Sequence, residues 1–364
     1  MSLQQIKQSK QAIIRRHVRA DNVQGFIQVI ITLAPLALSW WMAVWSTTIS
    51  YWLTAVALVL VTLFTLRVLV LMHECGHGSL FRSPWLNRSF GFVFGVLAGM
   101  PQYVWSQHHD FHHATNGNWE KYRGPLTTSS VDEFAALSKA QQRRYCRARS
   151  VWLAPLGGFA YLIFNPRYTW IKGSLQLLLH LLRRKIAQPE LSLRAHAAGF
   201  TTGYWASSRQ YWHMFWNNVV LFSVWALMSW AMGLGLFSLM FLISVSVAGG
   251  AAIAIFTVQH NFEHAYATDS RQWDYDQGAI HGSSFLVLPQ WLNWFTVNIG
   301  YHHVHHLSAR IPCYRLVACH NENRDMFAEV TRVKLFEIPH ALTCLLWDAG
   351  AQRIITVAEY RARG

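Results

Sequence analysis

Charged side chains are scarce in this chain. Asp, Glu, Lys and Arg make up 13% of its 364 residues, against about a quarter in a soluble domain. That shortage argues against a surface wetted on all sides. Acidic residues are scarcer still, 17 against 31 Lys and Arg, which leaves a formal charge of +14. The basic residues are spread over the segments between apolar runs, and no nucleic-acid-binding motif accompanies them. A lipid surface, and not a nucleic acid, is therefore the expected partner. Cysteine is sparse too. Cys75, Cys146, Cys313, Cys319 and Cys344 are odd in number and form no CxxC, so neither a disulfide framework nor a thiolate zinc site is expected, and a reducing compartment suits them. The opening run MSLQQIKQSKQAIIRRHVRAD is polar and basic for too long to read as a signal peptide, and no small-residue cleavage site follows it.

Apolar and aromatic residues take the place of charge. The chain is 52% hydrophobic, with 18 Trp and 21 Phe. A membrane span needs about 20 mainly apolar residues, and four runs meet that length: 25–45, 51–72, 212–232 and 234–258. The gaps within each pair are short and uncharged, which predicts two helical hairpins. Lys7, Lys10, Arg15, Arg16 and Arg19 precede the first hairpin. Arg143, Arg144, Arg147, Arg149, Arg183, Arg184 and Lys185 lie between the two. The positive-inside rule then puts both termini and the middle segment in the cytoplasm. Weaker apolar stretches at 90–105, 151–164 and 283–299 are interrupted by Gly, Pro or Asn and are expected to lie in the interface or enter part-way; six spans result if two of them cross. Residues 138–149 read as an exposed basic helix. Arg67, two turns from the cytoplasmic end of the second span, either snorkels to the surface or pairs with a buried carboxylate.

Histidine is abundant, and 12 of the 19 fall in four short clusters. His73 and His77, in HECGH, share a helix face at spacing i, i+4. His109, His112 and His113 form HxxHH, with His108 about 100° away and expected to stand apart. His302, His305 and His306 repeat HxxHH, with His303 as the outlier. His260 and His264 repeat the spacing of the first pair at the end of the last span. The topology brings all four clusters to the cytoplasmic side. About ten imidazoles are too many for one four- to six-coordinate ion, so two metals are expected. The isolated His17, His180, His196, His213, His281, His320 and His340 are expected to be structural. HECGH also satisfies the HExxH pattern of zinc hydrolases, but a site of that kind needs three protein ligands and leaves both HxxHH clusters unused. A non-catalytic metal carrier would need ligands across the membrane, which are absent.

Three segments carry a family resemblance. His73-Glu-Cys-Gly-His77-Gly-Ser-Leu-Phe, the run HDFHHATN at 109–116, and Asn298-Ile-Gly-Tyr-His-His-Val-His-His-Leu-Ser resemble the three histidine boxes of the membrane fatty acid desaturases. The bacterial and plant-type acyl-lipid enzymes of the delta-12 (omega-6) kind resemble the chain most. The likeness covers roughly residues 50–320, and related hydroxylases share the boxes. It implies a centre of two iron ions that uses dioxygen and two electrons to remove two vicinal hydrogens from an acyl chain. The ligands it implies are His73, His77, His109, His112, His113, His302, His305 and His306. The family also places a ligand where His264 stands, and four residues earlier some relatives carry Asn holding a water where this chain has His260, whose direct ligation stays open.

Glu74, Asp110 and Glu263 lie within the boxes and can orient imidazoles. Trp291, Trp294 and Phe295 either line an acyl tunnel or anchor the chain at the interface. No haem, flavin or nicotinamide fingerprint is present, so a separate donor of ferredoxin or cytochrome b5 type is expected to supply the electrons. The expected architecture is all-α and multi-pass, in a bacterial inner membrane. It comprises a basic segment 1–24, a desaturase domain 25–320 and a cytoplasmic segment 321–364, with four spans beneath a helical cap that holds the dimetal site.

Overall fold

The computed structural model describes residues 3–363. Among them, four helices are long and apolar enough to cross a membrane. After α1 (Leu3–His17) come the first two, α2 (Asn22–Trp45) and α3 (Tyr51–Gly76). Asp21 starts α2, its Oδ1 accepting from the Val23 and Gln24 amides at 2.7 and 3.1 Å, which satisfies two donors a helix start leaves open. At the hairpin tip the Ser46 and Thr54 hydroxyls meet at 3.0 Å. The exposed rings of Trp41, Trp45, Tyr51, Trp52 and Trp230 gather at the tips, as expected of an interfacial aromatic belt.

α4 (Pro84–Ala98) and α5 (Gln102–Thr115) follow, the break between them falling at Gly99, whose φ of 76° ends α4 in the left-handed conformation. The weak apolar stretch at 90–105 is thus two helices meeting at a turn. The short helix α6 (Val131–Ala135) precedes α7 (Lys139–Ala148), the expected basic helix, which opens with a capping box between Ser138 and Gln141. The stretch at 151–164 does not stop at Phe164. It forms α8 (Ala154–Phe159), a π-helical turn at Ala160–Phe164, and then α9 (Asn165–Ala187). α10 (Leu193–Ala198) leads to the second pair of spans, α11 (Ser208–Met232) and α12 (Leu234–His260).

At 26 and 27 residues, α3 and α12 are about 40 Å long, exceeding a hydrocarbon core of about 30 Å. Their ends can therefore stand clear of the bilayer and carry His73, His77 and His260 upward. The remaining chain closes the cap with α13 (Tyr275–His281), α14 (Gln290–Phe295), α15 (His302–Leu307), α16 (Leu316–Glu322), α17 (Ile338–Ala341) and α18 (Val357–Ala362). Five short strands tie the cap together: β1 (Ser129–Ser130), β2 (Phe285–Val287), β3 (Arg332–Lys334), β4 (Cys344–Asp348) and β5 (Arg353–Thr356). β1 pairs with β4 and β4 with β5, while β2 pairs with β3. Within the described residues, segment 321–363 is thereby bonded into the cap.

Arg67 departs from both expectations. It neither snorkels nor meets a carboxylate. It is buried and donates to Thr32 Oγ1 at 2.8 Å, Gln28 Oε1 at 2.5 Å and the Trp294 carbonyl, with its guanidinium 4.0 Å from the Trp294 ring. Neutral acceptors from α2 and α14 satisfy its donors inside the bundle.

Candidate metal centre

Nine histidines converge in two adjoining groups. His73, His77, His109, His113 and His305 form one; His112, His260, His302 and His306 form the other. Within each group, one ring nitrogen per residue lies within 4.8 Å of all the rest. The division follows from helix geometry. On α5, His113 lies about 40° around the axis from His109 and His112 about 60° the other way. The i, i+4 pairs stay together, and the remaining histidine of each HxxHH points to the other group. His113 and His306 stack at 4.1 Å where the groups meet.

The ring nitrogens face one another in close pairs. Nε2 of His73 and His77 lie 3.3 Å apart, of His109 and His113 3.1 Å, of His113 and His305 3.1 Å, of His112 and His306 3.2 Å, and of His260 and His302 2.8 Å. Burial, with added repulsion from neighbouring imidazoles, holds His109, His112, His113, His302, His305 and His306 well below the ordinary imidazole range. Each therefore keeps a ring-nitrogen lone pair that it can offer to its group's centre. His260 shows the tautomer most clearly: its Nδ1 donates to the Gly282 carbonyl at 3.2 Å, which leaves Nε2 as the free ligand atom. A donor set of imidazoles alone suits zinc, copper, iron or nickel, and two groups fit two ions.

His264 and Glu263 are not brought to this site. α12 stops at His260 with Asn261 as its cap, so the helical spacing that would put His264 over His260 does not continue. His264 is exposed in the following loop. Glu263 is also exposed and pairs with Arg353 at 2.8 Å. Asp110 lies 3.5 Å from His77 Nδ1. Glu74 is fully buried, its Oε2 accepting from the Ser79 hydroxyl and the Cys313 amide, both at 3.0 Å, and its Oε1 3.3 Å from His73 Nδ1. The carboxylate thus sits behind the His73 ring, away from the converging nitrogens. The general base of a HExxH hydrolase would need to face them.

The expected outliers stand apart. His108 is exposed. His303 is buried but turns away, its Nε2 2.8 Å from His320 Nδ1. His320, expected to be isolated, is its partner and stacks on Phe327.

An apolar cavity of about 320 Å³ abuts the histidines and is bounded by His73, His109, His112 and His302, with His108 also on its wall though outside both groups. Its other walls come from α3 (Leu66, Leu69), the π turn (Tyr161, Leu162), α12 (Gly249, Ala252, Phe256) and the loop residues Tyr122 and Leu126. Trp105 stacks on His109 at 4.6 Å and donates to the Tyr161 hydroxyl at 2.9 Å. Gly158 lets α8 approach α12 closely enough to form this wall: a Cβ there would lie 2.3 Å from the Gly250 amide nitrogen. Trp291, Trp294 and Phe295 do not bound the cavity. Trp294 and Phe295 pack on Phe64, and Trp291 is exposed. No local sequence signal marks the true wall, because its residues come from distant elements.

The chain matches the fatty acid desaturase family over residues 49–336. It is 29% identical over 341 residues to a fatty acid desaturase of Bacillus subtilis, covering 92% of this chain and 86% of that one. It is 23% identical over 286 residues to an sn-1 oleoyl-lipid 12-desaturase of Anabaena variabilis, covering 74% and 70%. With an omega-6 fatty acid desaturase of the endoplasmic reticulum of Glycine max it shares 24% over 272 residues, covering 72% and 63%. With its four apolar helices and clustered histidines, this chain belongs to the fatty acid desaturase family.

Proposed function

We propose that the chain is a di-iron acyl-lipid desaturase of the delta-12 (omega-6) type. The balance is that a CH2–CH2 unit, dioxygen, two electrons and two protons become CH=CH and two waters. The observation that carries this reading is the contact between two imidazole groups and an apolar cavity. Methylene C–H bonds offer no acid–base handle, so two irons bound there would supply the oxidising power the reaction needs. His73, His77, His109, His113 and His305 would hold one ion, and His112, His260, His302 and His306 the other. Glu74 and Asp110 would orient His73 and His77. The apolar wall aligns the chain and excludes water, while Trp105 keeps the His109 ring in place.

The electrons would come from a separate ferredoxin or cytochrome b5-type protein on the cytoplasmic side of a bacterial inner membrane. An acidic donor suits the net positive charge. Raising the ionic strength should then slow donor-supported turnover; a flat salt response would count against an acidic donor. The deciding experiment is expression in a host without polyunsaturated lipids, followed by mass spectrometry of its fatty acids. A new double bond in lipid-bound chains is expected. Unchanged fatty acids beside iron-loaded protein would overturn the proposal, and a hydroxylated chain would turn it into a hydroxylase.

A further inference from the structure

One long helix face has no protein partner. From the π turn through α9, Phe164, Ile171, Leu175, Leu178, Leu182 and Ile186 recur at helical spacing, and each is between 48% and 82% exposed. They form a stripe about 100° wide or less. The opposite face is packed: a Cβ on Gly173 would lie 2.1 Å from the Trp205 ring. α9 is not among the helices apolar enough to cross a membrane. It contains no acidic residue. Lys172 and Arg183 flank the stripe, about 80–100° from its centre, and both are exposed with no ion pair among the described residues.

The inner contacts fix how this helix lies. Gly158 meets Gly249 and Gly250 of α12, and Arg167 donates to Asn217 and Asn218 of α11 at 2.9 and 3.0 Å. Those contacts fall about 15 Å below the metal-side ends of both spans. A helix crossing two spans at one level runs roughly in the membrane plane. Since α12 exceeds the hydrocarbon core by about 10 Å, that level is near the bilayer surface.

We propose that residues 154–187 form an in-plane membrane helix on the metal-centre side. Its apolar stripe sinks among acyl chains, and Lys172 and Arg183 at its edge bind anionic phospholipid headgroups. A second copy of the chain suits this face less well, because it would bring uncompensated cations together. The same helix places Tyr161 and Leu162 in the cavity wall, so it links the leaflet to the cavity. The inference does not depend on which reaction the centre performs.

The test uses the full chain in nanodiscs of phosphatidylcholine, with or without phosphatidylglycerol. A nitroxide at Leu178→Cys, in a Cys146→Ser background, should be more accessible to dioxygen than to a polar nickel reagent. Preferential access to the nickel reagent overturns the proposal, as does spin–spin broadening from a second copy. Native mass spectrometry should find bound phosphatidylglycerol, and Lys172→Gln/Arg183→Gln should weaken its retention by about fivefold per charge removed. Immersion of the label with no preference for phosphatidylglycerol overturns the headgroup assignment. Unchanged metal content in the variants shows that they are folded.

Discussion

The metal centre and the cavity beside it share a boundary yet are encoded in opposite ways. His73, His109, His112 and His302 belong to both. The centre is built from short repeats, where helix geometry alone divides i+3 from i+4 neighbours between two groups. The cavity is built from single residues on α3, α5, the π turn and α12, each also serving ordinary packing. Metal binding needs particular atoms at fixed spacing; a hole for an acyl chain needs only that certain side chains be small and others be elsewhere.

Substitutions can separate the two regions. The largest effect is expected on the centre: His112→Ala, His260→Ala and His302→Ala should each abolish activity and lower iron content, measured by metal analysis on protein that still inserts. Glu74→Gln should come next. It keeps the volume but removes the carboxylate behind His73, and a loss of about 10–100-fold in activity or iron affinity is expected. On the cavity side, Ala252→Phe should leave iron content unchanged and shift the products toward shorter chains, on the order of tenfold per methylene excluded. Lower iron in that variant would mean the two regions are not separable. The smallest effect is expected for His264→Ala, which should match the parent in iron and turnover because the side chain is exposed away from the groups.

Legibility follows the same division. The four spans were visible because hydropathy over about 20 residues is a strong signal, and the boxes because imidazoles recur at helical spacing. His260 and His264 show the limit: the spacing suggested a shared face, but α12 ends at Asn261, and only its end decides which histidine reaches the site. Trp294 shows another. Aromatic residues near a box suggest either a tunnel wall or an interfacial anchor, and neither reveals that the Trp294 ring lies 4.0 Å from the Arg67 guanidinium, a pairing across 227 residues. The 151–164 stretch reads as a short piece that lies in the interface or enters part-way; the polar residues of α9 hide its continuation to Ala187.

The central claim is that nine imidazoles hold two irons. Metal analysis of the purified full chain tests it most directly, without any assay of activity. The account predicts about two irons per chain, one ion for each imidazole group, with the ratio falling in His260→Ala and unchanged in His264→Ala. A single zinc per chain, or iron that follows His264 and ignores His260, would contradict it.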